Sequence, residues 1–124
     1  MRLDAIVQYL DDYLRVRDTR DAPDALNGLQ VSNGGEVSKL AAAVDLCRAT
    51  VQLAADHGAN LLLVHHGLFW GATGPVDRQL KRRLQLLFDH DIALAAYHLP
   101  LDAHLEVGNN ALLAKAIGAT DPEP

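Results

Sequence analysis

The sequence predicts an α/β fold, a mainly parallel sheet covered by helices. Three observations carry this. Leu40–Val44, Leu61–Val64 and Ile92–Tyr97 are short continuous apolar runs, the pattern of strands buried on both faces. Each is followed by a segment that reads as helix, with apolar residues three and four positions apart. Strands separated by helices of that length need crossover connections and therefore pair in parallel.

The elements follow in order. Leu3, Ile6, Val7, Leu10 and Leu14 set a first amphipathic helix, with Asp11, Asp12 and Arg15 between them. It fades into the charged stretch Arg17–Asp24. Asn27-Gly28 marks a turn, Leu29-Gln30-Val31 a short strand, and Ser32–Glu36 a second polar turn. After the strand Leu40–Val44, Asp45 is placed to cap a helix that puts Cys47, Val51, Ala54 and Ala55 on its buried face and ends at Gly58. Leu61–Val64 leads into the loop His65–Gly74, and Pro75 suits a first helical position. The next helix groups Leu80, Leu84, Leu87 and Phe88 on one side. Ile92–Tyr97 is the third long strand. The loop His98–Gly108 precedes a last helix through Leu112, Leu113 and Ile117.

At 124 residues the chain reads as a single α/β domain over 1–124, long enough to bury roughly two-thirds of its unfolded surface. Apolar residues make up 49% and charged residues 22%, which argues against disorder. The apolar runs are too short to span a membrane, and the acidic, amphipathic start does not read as a signal peptide. A single cysteine excludes an internal disulfide framework and fits a cytoplasmic setting. The net charge of −5, without a block of like charges, argues against nucleic acid as a partner. A phosphate-cradling glycine loop, a dinucleotide fingerprint and a serine nucleophile elbow are all missing from the sequence.

Ligands of parallel sheets bind at the carboxyl ends of the strands, which points to two loops. In the first, His65 and His66 follow an apolar strand directly and precede Gly67. A regular strand would send them to opposite faces. A bend before glycine brings both to one pocket, most naturally onto two metal ions. The competing reading is one histidine in the core and one in solvent. In the second loop, His98, Asp102 and His104 leave another buried strand. Imidazole nitrogen with carboxylate oxygen suits zinc, iron or manganese. Asp102 reads as a metal ligand rather than a cap, because the last helix starts several residues later. His104 reads as a surface or supporting residue, and His57 and His90 as structural residues at helix ends. Asp45 is assigned to capping, with a role supporting the site as its alternative, and Cys47 to core packing, while Gln30 is free to line a pocket.

Three segments together resemble a known family: Asn27-Gly28-Leu29-Gln30-Val31, Gly58 through Trp70, and Tyr97 through His104 running on to Gly108-Asn109-Asn110. The chain is similar to the Nif-three-like family, also called GTP cyclohydrolase 1 type 2 homologues, over its whole length. The resemblance implies an α/β metal protein with up to two adjacent divalent cations. It also implies that His65 and His66 bind one metal each, that Asp102 is a ligand, and that His98 lies nearby or ligates. Metal-dependent hydrolysis of a nucleotide-like or heterocyclic substrate follows as the expected chemistry, with a non-catalytic metal-binding, assembly or regulatory module as the alternative. Assembly into a dimer or larger homo-oligomer is expected too.

The resemblance carries one departure. Family members run to about twice this length and hold further ligands, a His and a Glu four residues apart, near their C-terminus. Glu123 has no His four residues before it. The chain therefore matches an N-terminal half, with a separate C-terminal half as a candidate partner and a partially occupied, incomplete dinuclear site as the expectation.

Overall fold

The computed structural model describes residues 1–71 and 74–119. Residues 72–73 and 120–124, Glu123 among them, lie outside the described residues. Helix α1 spans Leu3–Tyr13, strand β1 Gly28–Val31, β2 Leu40–Asp45, α2 Arg48–Asp56 and β3 Leu61–His66. Then follow α3 Arg78–Asp89, β4 Ala93–Ala96, the short α4 Leu99–Asp102 and α5 Asn109–Ala116. The strands form one sheet in the order β1-β4-β3-β2. β2, β3 and β4 run parallel, and β1 closes one edge antiparallel to β4. The mixed α/β architecture is the one the sequence predicts.

Strand alternation divides the interior into two apolar layers. Leu62, Val64, Leu94 and Ala96 face one layer with Val51 and Ala54 of α2 and Leu87 of α3. Leu61, Ala93, Ala95 and Tyr97 face the other, with Leu3, Leu14 and flanking residues of α1. Residues 92–97 are all buried, as a strand enclosed between helical layers should be. The Tyr97 hydroxyl crosses the second layer and donates to Asp11 Oδ1 at 2.9 Å. Burial and that carboxylate both push the Tyr97 phenol far above its ordinary pKa. Gly28 takes φ +97°, which a side chain adopts only with strain, and with it β1 starts directly after Asn27.

Several local expectations are corrected. β2 is not buried on both faces: it is an outer strand paired only with β3, and Leu40 and Val44 are 46% and 64% exposed. Asp45 does not cap α2. The residue at the N-cap of that helix is Cys47, whose sulfur and backbone N–H engage Thr50; Cys47 is exposed and no part of the core. α3 starts at Arg78 rather than Pro75, because the Asp77 carboxylate accepts from Leu80 N–H at 2.7 Å and supplies the stronger cap. Phe88 falls on the solvent side of α3. The segment after His98 is not wholly loop, since Leu99–Asp102 makes one helical turn with Pro100 in its first positions. Leu112, Leu113 and Ile117 are exposed, and α5 buries none of its residues.

Candidate metal centre

Parallel strands in register deliver their carboxyl ends to one rim of the sheet. Asp45 is paired with His66 across β2 and β3, and Val64 with Ala96 across β3 and β4. His65 and His66 therefore end β3 close to His98, which follows β4. The His65 and His66 rings meet edge to face with centroids 4.6 Å apart, and His65 and His98 at 4.9 Å. One ring nitrogen from each of the three histidines lies within 4.8 Å of the others, a cluster that could hold a metal ion.

His65 sits deepest, its side chain only 12% exposed. Neither of its ring nitrogens has a hydrogen-bond partner among the described residues. Asp102 Oδ2 comes to 3.0 Å from His65 Nε2, within contact but out of line for a hydrogen bond. Asp102 is itself held by Asn109, whose amide donates to Oδ1 at 2.7 Å. Buried polar atoms in folded proteins are almost always satisfied, so an imidazole with two bare nitrogens beside a fixed carboxylate fits the holding of a cation. The four residues named from the sequence, His65, His66, His98 and Asp102, are thus neighbours through the His65–Asp102 contact and the histidine cluster.

The outer two histidines are held by carboxylates. His66 Nδ1 meets Asp45 Oδ1 at 2.6 Å, and His98 Nδ1 meets Asp21 Oδ1 at 2.7 Å. Such a carboxylate fixes the tautomer of an imidazole and leaves the other nitrogen's lone pair free. Burial pushes the Asp21 carboxyl up, but hydrogen bonds from Asn27, His98 and the N–H groups of Ala22 and Leu99 outweigh it and hold it below the usual carboxylate range. Asp21 lies in the charged stretch that reads as featureless in sequence, 77 residues from His98, and no spacing rule links the two. Asp45 takes the supporting role that capping had displaced.

The loop after β3 is tied down by Gln30. Its Oε1 accepts from Leu68 N–H at 2.7 Å and Phe69 N–H at 3.1 Å, and its amide donates to Leu26 O at 2.8 Å. An isolated antiparallel bridge joins Ala25 to Trp70. The indole then rests edge to face on His98 with centroids 5.0 Å apart, and is 40% exposed at the rim. An apolar groove of about 290 Å³ beside α1, β2 and β3 has His65 in its lining. A cleft of about 430 Å³ lined by Tyr13, Arg15, His104 and Glu106 contains none of the cluster residues.

The remaining histidines lie outside the cluster. His104 donates from Nε2 to Tyr13 O at 3.1 Å while Nδ1 accepts from the Glu106 and Val107 N–H groups. His57 and His90 occupy the C-caps of α2 and α3. No helix among the described residues is long and apolar enough to cross a membrane.

The family model for Duf34/NIF3 (NGG1p interacting factor 3) matches residues 1–124. The chain is 45% identical over 121 residues to the GTP cyclohydrolase 1 type 2 homolog of Deinococcus radiodurans, covering 98% of this chain and 45% of that protein. To the protein of the same name in Archaeoglobus fulgidus it is 44% identical over 123 residues, covering 99% and 49%. The crystal structure of TTHA1606 from Thermus thermophilus superposes with a TM-score of 0.94 at 49% identity, over all of this chain and 51% of that one. The chain spans about half the length of the curated relatives it matches, and with a match across all 124 residues and this fold it belongs to the Duf34/NIF3 family.

Proposed function

We propose that the histidine cluster is a divalent-cation centre and that the chain forms the metal-holding part of a metal-dependent hydrolase. The observation that carries the reading is His65, a buried imidazole with both nitrogens unpartnered beside Asp102. His65, His66, His98 and Asp102 are the residues that would hold one cation or two. Zinc, iron and manganese all suit this mixture of imidazole and carboxylate. A divalent cation in such a site supplies Lewis acidity and makes a water acidic near neutral pH.

The chain's own residues prepare the site for this. Asp45 and Asp21 orient His66 and His98, Asn109 fixes Asp102, and Trp70 shields the outer side of His98. The name of the relatives, GTP cyclohydrolase 1 type 2 homolog, supports a nucleotide-like or heterocyclic substrate. A non-catalytic metal-binding or assembly module is the second reading, favoured by the uncovered β2 and α5 surfaces. Turnover of nucleotide substrates by the metal-loaded chain separates the two.

The direct test is metal content after reconstitution and gel filtration, with the wild-type chain beside a His65→Ala/His66→Ala variant. The wild type retains metal and the variant loses it. Equal metal in both would refute the reading. Protons compete with cations for imidazole nitrogen, so retention should also weaken as pH falls.

A further inference from the structure

The hydrogen bonds around Asp21 contain more than support for a side chain. Four donors converge on its carboxylate, and the side chain is 8% exposed. Oδ1 accepts from Ala22 N–H at 2.6 Å and from His98 Nδ1 at 2.7 Å. Oδ2 accepts from Leu99 N–H at 2.9 Å and from the Asn27 amide at 2.8 Å. Two of these donors are backbone N–H groups, whose protons cannot move. The Asn27 amide is fixed as well. Its Oδ1 must accept from the backbone N–H of His98, 2.7 Å away, so its NH₂ must point at Asp21.

Three donors are therefore set by the backbone, and the ionised carboxylate has no proton to give. The fourth partner, His98 Nδ1, has to be the protonated nitrogen of its ring. We infer that Asp21 and Asn27 form a tautomer lock, in which the backbone N–H groups of Ala22, His98 and Leu99 dictate that His98 carries its proton on Nδ1 and keeps the Nε2 lone pair for the cluster. Asp21 is a positioning residue in this arrangement. The lock rests on the metal-centre reading for its purpose but not for its existence, since the hydrogen bonds are complete within the chain.

The lock predicts the outcome of one isosteric change. In Asp21→Asn the new NH₂ must face either the Oδ2 side, against two fixed donors, or the Oδ1 side, against Ala22 N–H and His98 Nδ1. Only His98 Nδ1 can become an acceptor, by moving its proton to Nε2. The second orientation loses one hydrogen bond, to Ala22, and keeps the rest. The variant therefore holds His98 in place with the wrong nitrogen protonated.

The test uses the full chain with ¹⁵N-labelled histidine, free of metal, at a pH where the imidazoles are neutral. Long-range ¹H–¹⁵N spectra report the tautomer, and His98→Gln assigns the signal. The wild type should show His98 as the Nδ1–H form and Asp21→Asn as the Nε2–H form. Titration with cobalt(II), followed by its visible absorbance, should then show affinity falling by about ten- to a hundred-fold in the variant, the range for loss of a ligand's supporting partner. An Nε2–H tautomer in the wild type overturns the lock, even if the variant does not fold. An unchanged tautomer in Asp21→Asn overturns it too. Cobalt binding that is absent from the wild type refutes the metal-centre reading, and the tautomer spectra still decide the lock.

Discussion

Gly67 is the residue on which the rim of the site closes, and replacing it with alanine isolates that contact. A Cβ at this position would lie 2.5 Å from both Gln30 Nε2 and Oε1 and 2.7 Å from the Ala96 Cβ. The Gln30 side chain can swing away; Ala96 cannot, because it ends the inner strand β4, is paired with both Gly28 and Val64, and is 3% exposed. Forcing a methyl against it is an overpacking change, worth about 1–3 kcal/mol. Displacing Gln30 releases the part-buried Leu68 and Phe69 N–H groups, at about 1 kcal/mol for each lost hydrogen bond. Since a shift of the loop relieves part of both, Gly67→Ala should destabilise the fold by about 2–4 kcal/mol. Urea unfolding followed by circular dichroism measures it, with Gly74→Ala as the comparison, because a Cβ there meets nothing within 4 Å. Trp70 fluorescence reports separately on the loop, as this is the chain's one tryptophan. A Gly67→Ala midpoint equal to that of Gly74→Ala would refute the packing argument.

Three further outcomes are expected. Cys47 should react with a maleimide in the folded protein, since it is exposed and the Thr50 N–H and hydroxyl lower its thiol pKa; strong protection relative to the urea-unfolded chain would contradict its place at the α2 cap. Chelator should lower the unfolding midpoint of metal-loaded protein yet leave far-UV helix content nearly unchanged, because both apolar layers form without the ligand residues; collapse of the helical signal would show the opposite. The chain should associate in solution through its uncovered β2 edge, with Val44→Lys shifting sedimentation towards monomer, and a single wild-type species near 13.4 kDa would refute this.

The interior of the fold is legible in the sequence because its signals are local. Leu61–Val64 and Ile92–Tyr97 declare themselves as buried strands, and the histidines that end them are legible as a site because the strand-end rule applies to any parallel sheet. What stays hidden depends on lateral order. Leu40–Val44 has the composition of a central strand, but only the order β1-β4-β3-β2 reveals it as the outer one. Asp21 is hidden for a related reason: its stretch reads as solvated charge until the chain's return past His98 supplies two of its four donors. Asp45 and Cys47 both leave the roles expected of them. A helix start two residues later than the apolar pattern implies frees Asp45 for His66 and gives the cap to the thiol.

The shared register of β2, β3 and β4 has a consequence for how such a site can diversify. Neighbouring strands stand about 4.8 Å apart in any sheet, and the His65 and His98 rings, delivered by adjacent strands, stand 4.9 Å apart. The pairing of Val64 with Ala96 fixes where β3 hands over to His65 and where β4 hands over to Tyr97 and His98, so exchange of side chains in the surrounding loops leaves those strand ends in place. Variation around the rim can then alter charge, access and the company the imidazoles keep, while the two strand ends that present them stay side by side.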